Sequence, residues 1–288
     1  MRTSHSTLGV TPIDEAAVAA FPVNLTPVLI LAERGPEAEL LVRLLDSHSA
    51  VCARSEEPLS SARTGHELRS AMATFAIGAS QDASMSLRRG AASPLRVVGS
   101  LFDPAGSASL DAVVGSLPEA RVICLLRDGR DVVVNARLEA LRAGCFTGLS
   151  PAAKAIAAVT AEDLFGRGGA PARLFCAESL RLHTMRWIAS LRGVFRSLEL
   201  LPDRTRVLRY EDLLLETIRS HAAMCRWLGV AGDAARVHSG VEACRGAIAA
   251  SPRPGAWRQR MSEGDRTGFK RMAGELLIEL GYEKDTRW

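Results

Sequence analysis

Charged and amide side chains that suit a phosphate ligand are concentrated in the stretch 127–131 (RDGRD), with Asn135 about one helical turn further on. The stretch follows an apolar run, so Arg127 leaves the end of a predicted strand and Asn135 lies on the next predicted helix. A guanidinium fork and an amide at one helix entrance can bind a terminal phosphate. The same spacing permits a salt-bridged loop, in which an arginine of the stretch pairs with one of its aspartates. Spacing alone leaves both interpretations open.

Two other turns carry features suited to an anion. The turn at residues 32–39 joins a strand to a helix, whose N-terminus offers free N–H groups and a positive dipole end. It is not a Walker loop, because GxxxxGK[ST] is absent and no lysine occurs before Lys154. Arg253 lies between two prolines and close to Gly255, so its turn is rigid and lets the backbone approach a ligand.

Predicted strands and helices alternate along the chain. A continuous apolar run at 26–32 is typical of a buried parallel strand, and Pro36 belongs to the first turn of the following helix. We further predict strands at 95–99, 121–126 and 206–209, and helices at 131–142, 179–198 and 211–217. This order predicts an α/β fold with a central parallel sheet flanked by helices, in which ligands gather at the carboxyl ends of the strands.

The length and composition are those of a globular protein. With 288 residues, 47% of them hydrophobic and 24% charged, the chain can bury a sizeable core. We expect one domain at residues 26–288, preceded by an N-terminal extension at 1–25. Segments at about 60–93 and 144–171 are less regular in pattern, and we predict that they are loops or loosely helical lids over a substrate.

Charge and cysteine patterns narrow the functional class. The net charge of +4 is carried almost wholly by arginine and forms no basic tract, so nucleic-acid binding is not indicated. The six cysteines form no CxxC pair, which favours reduced thiols over a metal site. No stretch reaches 18 apolar residues and residues 1–24 have no signal-peptide pattern, so we expect a cytoplasmic protein without a membrane partner.

Four segments, in this order, resemble sulfotransferases that use 3'-phosphoadenosine 5'-phosphosulfate (PAPS). Residues 40–48 resemble the helix after the loop that binds the 5'-phosphosulfate, and residues 127–135 resemble the 3'-phosphate motif. Residues 209–214 (RYEDLL) are similar to a turn whose tyrosine lies near the nucleotide. Residues 253–258 and 274–282 are similar to the C-terminal RxGxW and LGY segments. Each motif alone has a structural explanation, but four in order are fairly specific.

The resemblance implies a P-loop NTPase-like sulfotransferase fold. It implies transfer of a sulfuryl group from PAPS to a hydroxyl or amine of a small-molecule acceptor, with 3'-phosphoadenosine 5'-phosphate (PAP) as product and no metal. The roles it implies are Arg127, Asn135 (in place of the usual serine), Arg253 and Gly255 at the 3'-phosphate, Tyr210 beside the nucleotide, Arg34 and Gly35 at the phosphosulfate, and Glu56 or Glu57 as catalytic base. His183 is a further candidate on the acceptor side, because it lies on the predicted helix that contains Trp187. A solvated acidic loop is an equal alternative for the two glutamates, and a homodimer is one of the open oligomeric states.

Two parts of the family pattern are missing. Gly35 stands where the family carries a cation, Pro36 removes a backbone donor, and Glu37 and Glu39 place negative charge beside the expected anion. Residues 100–104 contain no lysine, although many relatives have one there. Altered chemistry, another donor, or a non-catalytic homologue of the same fold therefore stay open as alternatives.

Overall fold

The computed structural model describes residues 24–32, 35–55, 64–81, 96–102, 111, 115–166, 173–230, 234–285 and 287–288. Its strands form one sheet in the order β2-β3-β1-β4-β5, in which every neighbouring pair is parallel. They are β1 (Thr26–Leu31), β2 (Val51–Arg54), β3 (Val97–Phe102), β4 (Arg121–Leu126) and β5 (Thr205–Arg209). β1 is central and pairs with β3 on one side and with β4 on the other.

Helices connect the strands and follow the last one. Those before β5 are α1 (Pro36–Asp46), α2 (Gly65–Gln81), α3 (Gly129–Arg142), α4 (Pro151–Phe165) and α5 (Ala177–Leu200). Those after β5 are α6 (Tyr210–Leu215), α7 (Thr217–Leu228), α8 (Ala234–Ala243), α9 (Arg245–Ala250), α10 (Trp257–Arg260) and α11 (Glu263–Glu279). No helix of the described residues is long and apolar enough to cross a membrane.

Each face of the sheet is covered by its own set of helices. Leu29 and Leu31 of β1 belong to a core that includes residues of α2, α3, α5 and α11. Val28 and Ile30 point the other way, into a core with α1, α6 and α7. Alternate residues of a strand point to opposite faces, so a sheet buried on both faces needs nearly continuous apolar strands. This is why β1 and β4 read as unbroken hydrophobic runs.

The predicted fold class is confirmed, because the chain is α/β with a parallel sheet flanked by helices. The strand predicted at 121–126 coincides with β4, and Pro36 begins α1 as expected. β2 has no counterpart among the predicted strands, since four residues are too few to show a period. The strand predicted at 95–99 begins two residues later, as β3, and continues to Phe102.

Both segments predicted to be loops or loosely helical lids contain regular helices. α2 and α4 have 17 and 15 residues, and α4 begins behind the cap of Ser150, whose Oγ accepts from the backbone N–H of Ala153 at 3.3 Å. The first segment was considered irregular for its alanine, serine and methionine content and the second for its glycines at 166, 168 and 169, but the alanines in both favour helices strongly. A lid function for these segments, and the single domain at 26–288, stay predictions. Residues 1–23 of the predicted extension lie outside the described residues.

Candidate functional site

A cavity of about 500 Å³ lies at the carboxyl edge of the sheet, between β1 and β4. α1 follows β1 on one face of the sheet and α3 follows β4 on the other, which makes this the topological switch point where open α/β sheets bind ligands. A cavity of this volume suits a small molecule. Its apolar lining includes Leu31, Leu125, Leu126, Val132, Trp187, Leu191 and Val194, and its polar lining consists of Glu37, Arg127, Asn135, Glu139, Ser190 and Arg192.

Asp128 caps the helix that leaves β4. Its carboxylate accepts a hydrogen bond from the backbone N–H of Arg130 at 2.9 Å, and its own N–H donates to Glu211 Oε1 at 2.9 Å. α3 therefore begins at Gly129, two residues before the predicted start. A Cβ atom on Gly129 would lie 2.5 Å from ring carbons of Trp187, so only glycine permits this close approach of α3 and α5.

Arg130 is a structural residue of the same helix entrance. Its guanidinium forms a fork with Asp128, with Nη2 to Oδ2 at 2.7 Å, and an ion pair with Glu283. Its Cζ lies 4.0 Å from the ring centre of Trp257 and 4.5 Å from that of Trp288. The salt-bridged interpretation of the stretch 127–131 thus holds for Arg130, whose side chain is almost fully buried.

Asp131 attaches the turn that follows Arg253 to α3. Its fully buried carboxylate accepts from the backbone N–H groups of Gly255 at 2.6 Å and Trp257 at 2.9 Å. Gly255 has a φ of +79°, in the left-handed region that glycine adopts without strain. Burial raises the pKa of Asp131, and the two N–H donors oppose that rise. The N–H of Gly255 is used within the protein, so Gly255 contributes the shape of the turn.

Tyr210 links this turn to Arg127. Its ring centre lies 5.0 Å from Arg127 Cζ, and its hydroxyl donates to the carbonyl of Pro252 at 2.7 Å. The side chain is fully buried, and this burial raises the pKa of the phenol. Arg253, the next residue after Pro252, is exposed and forms no hydrogen bond or ion pair with any described residue. One tyrosine thus bridges the two predicted arginine positions.

Arg127 is buried, and its guanidinium forms an ion pair with Glu37 of α1. The Asn135 amide lies beside both groups. With its oxygen toward Arg127, it accepts from Nη1 at 2.6 Å and Nη2 at 3.1 Å. The opposite orientation brings the amide nitrogen 3.3 Å from Glu37 Oε1 but turns N–H groups toward each other, so the first is electrostatically consistent. Nε of Arg127 is buried without a hydrogen-bond partner.

The N-terminus of α1 lies beside this cluster, because Glu37 in its first turn pairs with Arg127. Gly35 is its N-cap residue, Pro36 is its first residue, and no side chain caps the exposed N–H groups. The next side chain, Glu37, lines the cavity. Three residues predicted for the site lie outside the described residues: Arg34, Glu56 and Glu57.

Of α5, sequence analysis placed only His183 near the acceptor. The residues of this helix that line the cavity are others: Trp187, Ser190 and Val194, which share one face, and Arg192. The spacing of these residues in the sequence indicates a shared helix face. It does not show whether that face lines a cavity or packs into the hydrophobic core. His183, predicted on the acceptor side, is buried and is not a lining residue; desolvation, reinforced by Arg137 and Arg186, lowers its pKa to about 4.

The edge therefore combines two kinds of chemistry. One is a polar cluster of arginine, amide and helix N-terminus that suits an oxyanion, and the other is an apolar wall that suits the body of a small organic molecule. Among the described residues, no group of three or more His, Cys, Asp or Glu side chains could hold a metal ion.

Solved structures with the same architecture are sulfotransferases. A mouse sulfotransferase crystallised with PAP has a TM-score of 0.52 and 10% identity, and the match covers 90% of this chain and 86% of that one. A sulfotransferase from Mycobacterium avium has a TM-score of 0.50 and 11% identity, with 92% and 79% covered. No family model and no curated protein sequence matches the chain. The chain has the sulfotransferase fold.

Proposed function

We propose that the chain binds a 3'-phosphoadenosine nucleotide at the carboxyl edge of its sheet and transfers a sulfuryl group from PAPS to a hydroxyl or amine of a small-molecule acceptor. One observation carries this proposal: Arg127, Asn135, Tyr210 and the turn after Arg253 meet at a single helix entrance beside a ligand-sized cavity. These are the residues that the resemblance to sulfotransferases assigns to the nucleotide, and they come from three distant parts of the chain.

The 3'-phosphate is the part of the nucleotide that these residues fit best. Arg127 has a buried Nε without a partner, and Arg253 has an exposed side chain without an ion pair among the described residues. A phosphate offers three terminal oxygens, which can accept from both guanidinium groups and from the Asn135 amide. Tyr210 orients Arg127 through its ring and holds the residue before Arg253 through its hydroxyl.

The phosphosulfate end fits the described residues less well. Pro36 has no N–H to donate, and Glu37 adds a negative side chain to the first turn of α1. In this proposal Arg34 supplies the missing cation and Gly35 leaves room for the ligand. Missing one fixed donor at the charge that develops during transfer commonly costs about 3 kcal/mol, so we expect slow turnover.

The chemistry needs one base and one leaving group. The acceptor oxygen or nitrogen forms a bond to sulfur as the bond from sulfur to the 5'-phosphate oxygen breaks, and PAP leaves with that oxygen. Glu56 or Glu57 takes the proton of the acceptor. The apolar wall of α5, with Trp187 and Leu191, holds the organic part of the acceptor in the cavity.

Calorimetric titration with PAP tests the nucleotide site. We expect micromolar affinity for the unmodified protein and at least a tenfold loss in Arg127→Met, which keeps the stem of the side chain but removes its donors. Arg245→Met is the matched control, because Arg245 is exposed on α9 and pairs only with Glu242 at the surface. Absence of heat with the unmodified protein at high micromolar PAP would contradict the proposal.

A second candidate function is nucleotide binding without sulfuryl transfer. The N-terminus of α1 favours it, because Pro36 lacks an N–H donor and Glu37 adds a negative side chain to the turn that would hold the phosphosulfate, whereas the residues around Arg127 still suit a 3'-phosphate. Incubation with labelled PAPS and a panel of alcohols, phenols and amines separates the two candidates. A sulfated product supports transfer, and PAP binding without product supports this second candidate.

The remaining parts of the proposal concern location and partners. We propose a cytoplasmic protein whose partners are a small-molecule acceptor and the nucleotide, without nucleic-acid or membrane binding. A homodimer is the first oligomeric state to test, and sedimentation velocity over a range of protein concentrations measures it directly. A species of constant size near 30.8 kDa would contradict the dimer.

A further inference from the structure

The carboxylate of Glu37 lies between two features that both attract anions. One is the guanidinium of Arg127, with which it forms an ion pair, and the other is the N-terminus of its own helix, α1. Only 6% of the Arg127 side chain and 15% of the Glu37 side chain are exposed, so water screens this pair weakly. The protein thus places an internal anion at the position that the proposed function gives to a ligand phosphate.

Glu37 also lies close to the loop that leads into α1. A Cβ atom built on Gly35 would lie only 2.7 Å from Glu37 Oε2. Gly35 therefore leaves the space that the carboxylate occupies. A larger residue at position 35 would collide with the Glu37 carboxylate, which would then have to rotate out of this position.

The pairing with Glu37 leaves Arg127 incompletely satisfied. Glu37 Oε1 accepts from Nη1 and the Asn135 oxygen accepts from Nη1 and Nη2, whereas Nε is buried without an acceptor. A buried donor without a partner is unfavourable. An oxyanion with three terminal oxygens can accept from Nε as well, and so can replace the carboxylate with a more complete set of hydrogen bonds.

We infer that Glu37 is a specificity-determining residue, an internal competitor that a 3'-phosphate must displace before it can bind Arg127. The inference rests on the proposed nucleotide site. Because Glu37 has to be displaced, the affinity of every ligand that uses Arg127 is lowered, that of the PAPS donor and that of the PAP product alike. The affinity of nucleotides without a 3'-phosphate is unchanged. When Glu37 returns to Arg127 it shortens the lifetime of bound PAP, so it promotes product release.

Glu37→Gln tests the inference, because it removes the charge and keeps the size of the side chain. We expect it to bind PAP about ten to a hundredfold more tightly than the unmodified protein, and to release PAP more slowly, since one charge-assisted contact no longer opposes the ligand. Adenosine 5'-phosphate, which lacks the 3'-phosphate, should bind both proteins with affinities within about twofold. Calorimetry gives the affinities and stopped-flow competition gives the release rates.

Two variants separate the local contact from general electrostatics. Glu39→Gln makes the same charge change two residues away on an exposed side chain of α1, and its PAP affinity should stay within about twofold. Glu37→Gln added to Arg127→Met should give no gain over Arg127→Met alone. Thermal unfolding of each variant confirms that it is folded at the assay temperature.

The outcomes distinguish this inference from the proposed function. Tighter PAP binding by Glu37→Gln alone, with adenosine 5'-phosphate unchanged, supports it. PAP binding within twofold of the unmodified protein, or an equal gain in Glu39→Gln, overturns the inference and leaves the nucleotide site standing. If neither the unmodified protein nor Glu37→Gln binds PAP, the nucleotide site is wrong and the inference fails with it.

Discussion

Replacing Arg130 by lysine tests how strongly the entrance to α3 is held. The Arg130 side chain donates to Asp128 from Nε at 2.9 and 3.2 Å and from Nη2 at 2.7 Å, and it also pairs with Glu283. Its Cζ lies 4.0 and 4.5 Å from the ring centres of Trp257 and Trp288, whose planes are nearly perpendicular. Lysine keeps the charge but cannot form this fork or keep the contact of a planar guanidinium with both indoles.

The expected loss follows from these contacts. Hydrogen bonds to charged groups contribute about 1.5–3 kcal/mol each, and a desolvated cation–π contact contributes about 2 kcal/mol. A lysine ammonium keeps about one hydrogen bond and part of the ring contact. Arg130→Lys should therefore lower the free energy of unfolding by about 2–4 kcal/mol, which corresponds to a fall of several degrees in Tm.

Urea unfolding monitored by tryptophan fluorescence and by circular dichroism measures this loss. Arg245→Lys is the matched control, because Arg245 is 77% exposed and pairs with Glu242 in an i,i+3 arrangement. Such surface pairs contribute little, so the control should change stability by less than about 0.5 kcal/mol. If Arg130→Lys matches the control, the fork and the cation–π contacts do not stabilise the helix entrance and the reasoning is refuted.

Three further predictions concern buried polar groups. Tyr210→Phe removes the donor to the Pro252 carbonyl and should lower stability by about 1–2 kcal/mol in thermal unfolding; no change would mean that another donor serves that carbonyl. Arg137 has a fully buried guanidinium whose Nη1 and Nη2 lack partners, and burial lowers its pKa. Arg137→Met should therefore raise the free energy of unfolding in urea by about 1–3 kcal/mol. A clear loss of stability would reveal a bound anion. Burial lowers the pKa of His183 and of His221 from 6.5 to about 4, so both bind protons more readily when unfolded. Stability should fall as the pH drops from about 6.5 toward 4, by up to about 1.4 kcal/mol per unit for each histidine, and His221→Gln should show a smaller slope; identical slopes would contradict this.

Elements with a strong local signal were predictable from the sequence. β4 follows from the run of five apolar residues at 122–126, and α1 follows from Pro36 together with a one-sided leucine pattern. β2 escaped prediction because its four residues depend on pairing with β3 and on burial against α1, which local pattern does not encode. The segment that contains α4 was predicted to be a loop or loosely helical lid because of its glycines at 166, 168 and 169, whereas the alanines that precede them favour a regular helix.

The site was predictable only in part, since its contacts join distant residues. The stretch 127–131 correctly pointed to a helix entrance, but the acidic partner of Arg127 proved to be Glu37, 90 positions earlier. Spacing predicted a helix that begins at Asp131, but it could not show that the Asp131 carboxylate accepts from two N–H groups of the 255–257 turn. Which of several arginines meets which carboxylate depends on tertiary structure, and a charge pattern leaves that choice open.

The contacts that hold α3 at its N-terminus also bear on the order of folding. Asp131 and Arg130 are joined to residues 124, 126 and 153 positions further along the chain. Loop-closure entropy grows only slowly with loop length, so these contacts cost little more to close than the strand pairs that join Thr26 to Val97 and Val28 to Arg121. They do require residues 255–283 to be in place, so we expect the entrance to α3 to become ordered only after the C-terminal helices have packed against the sheet.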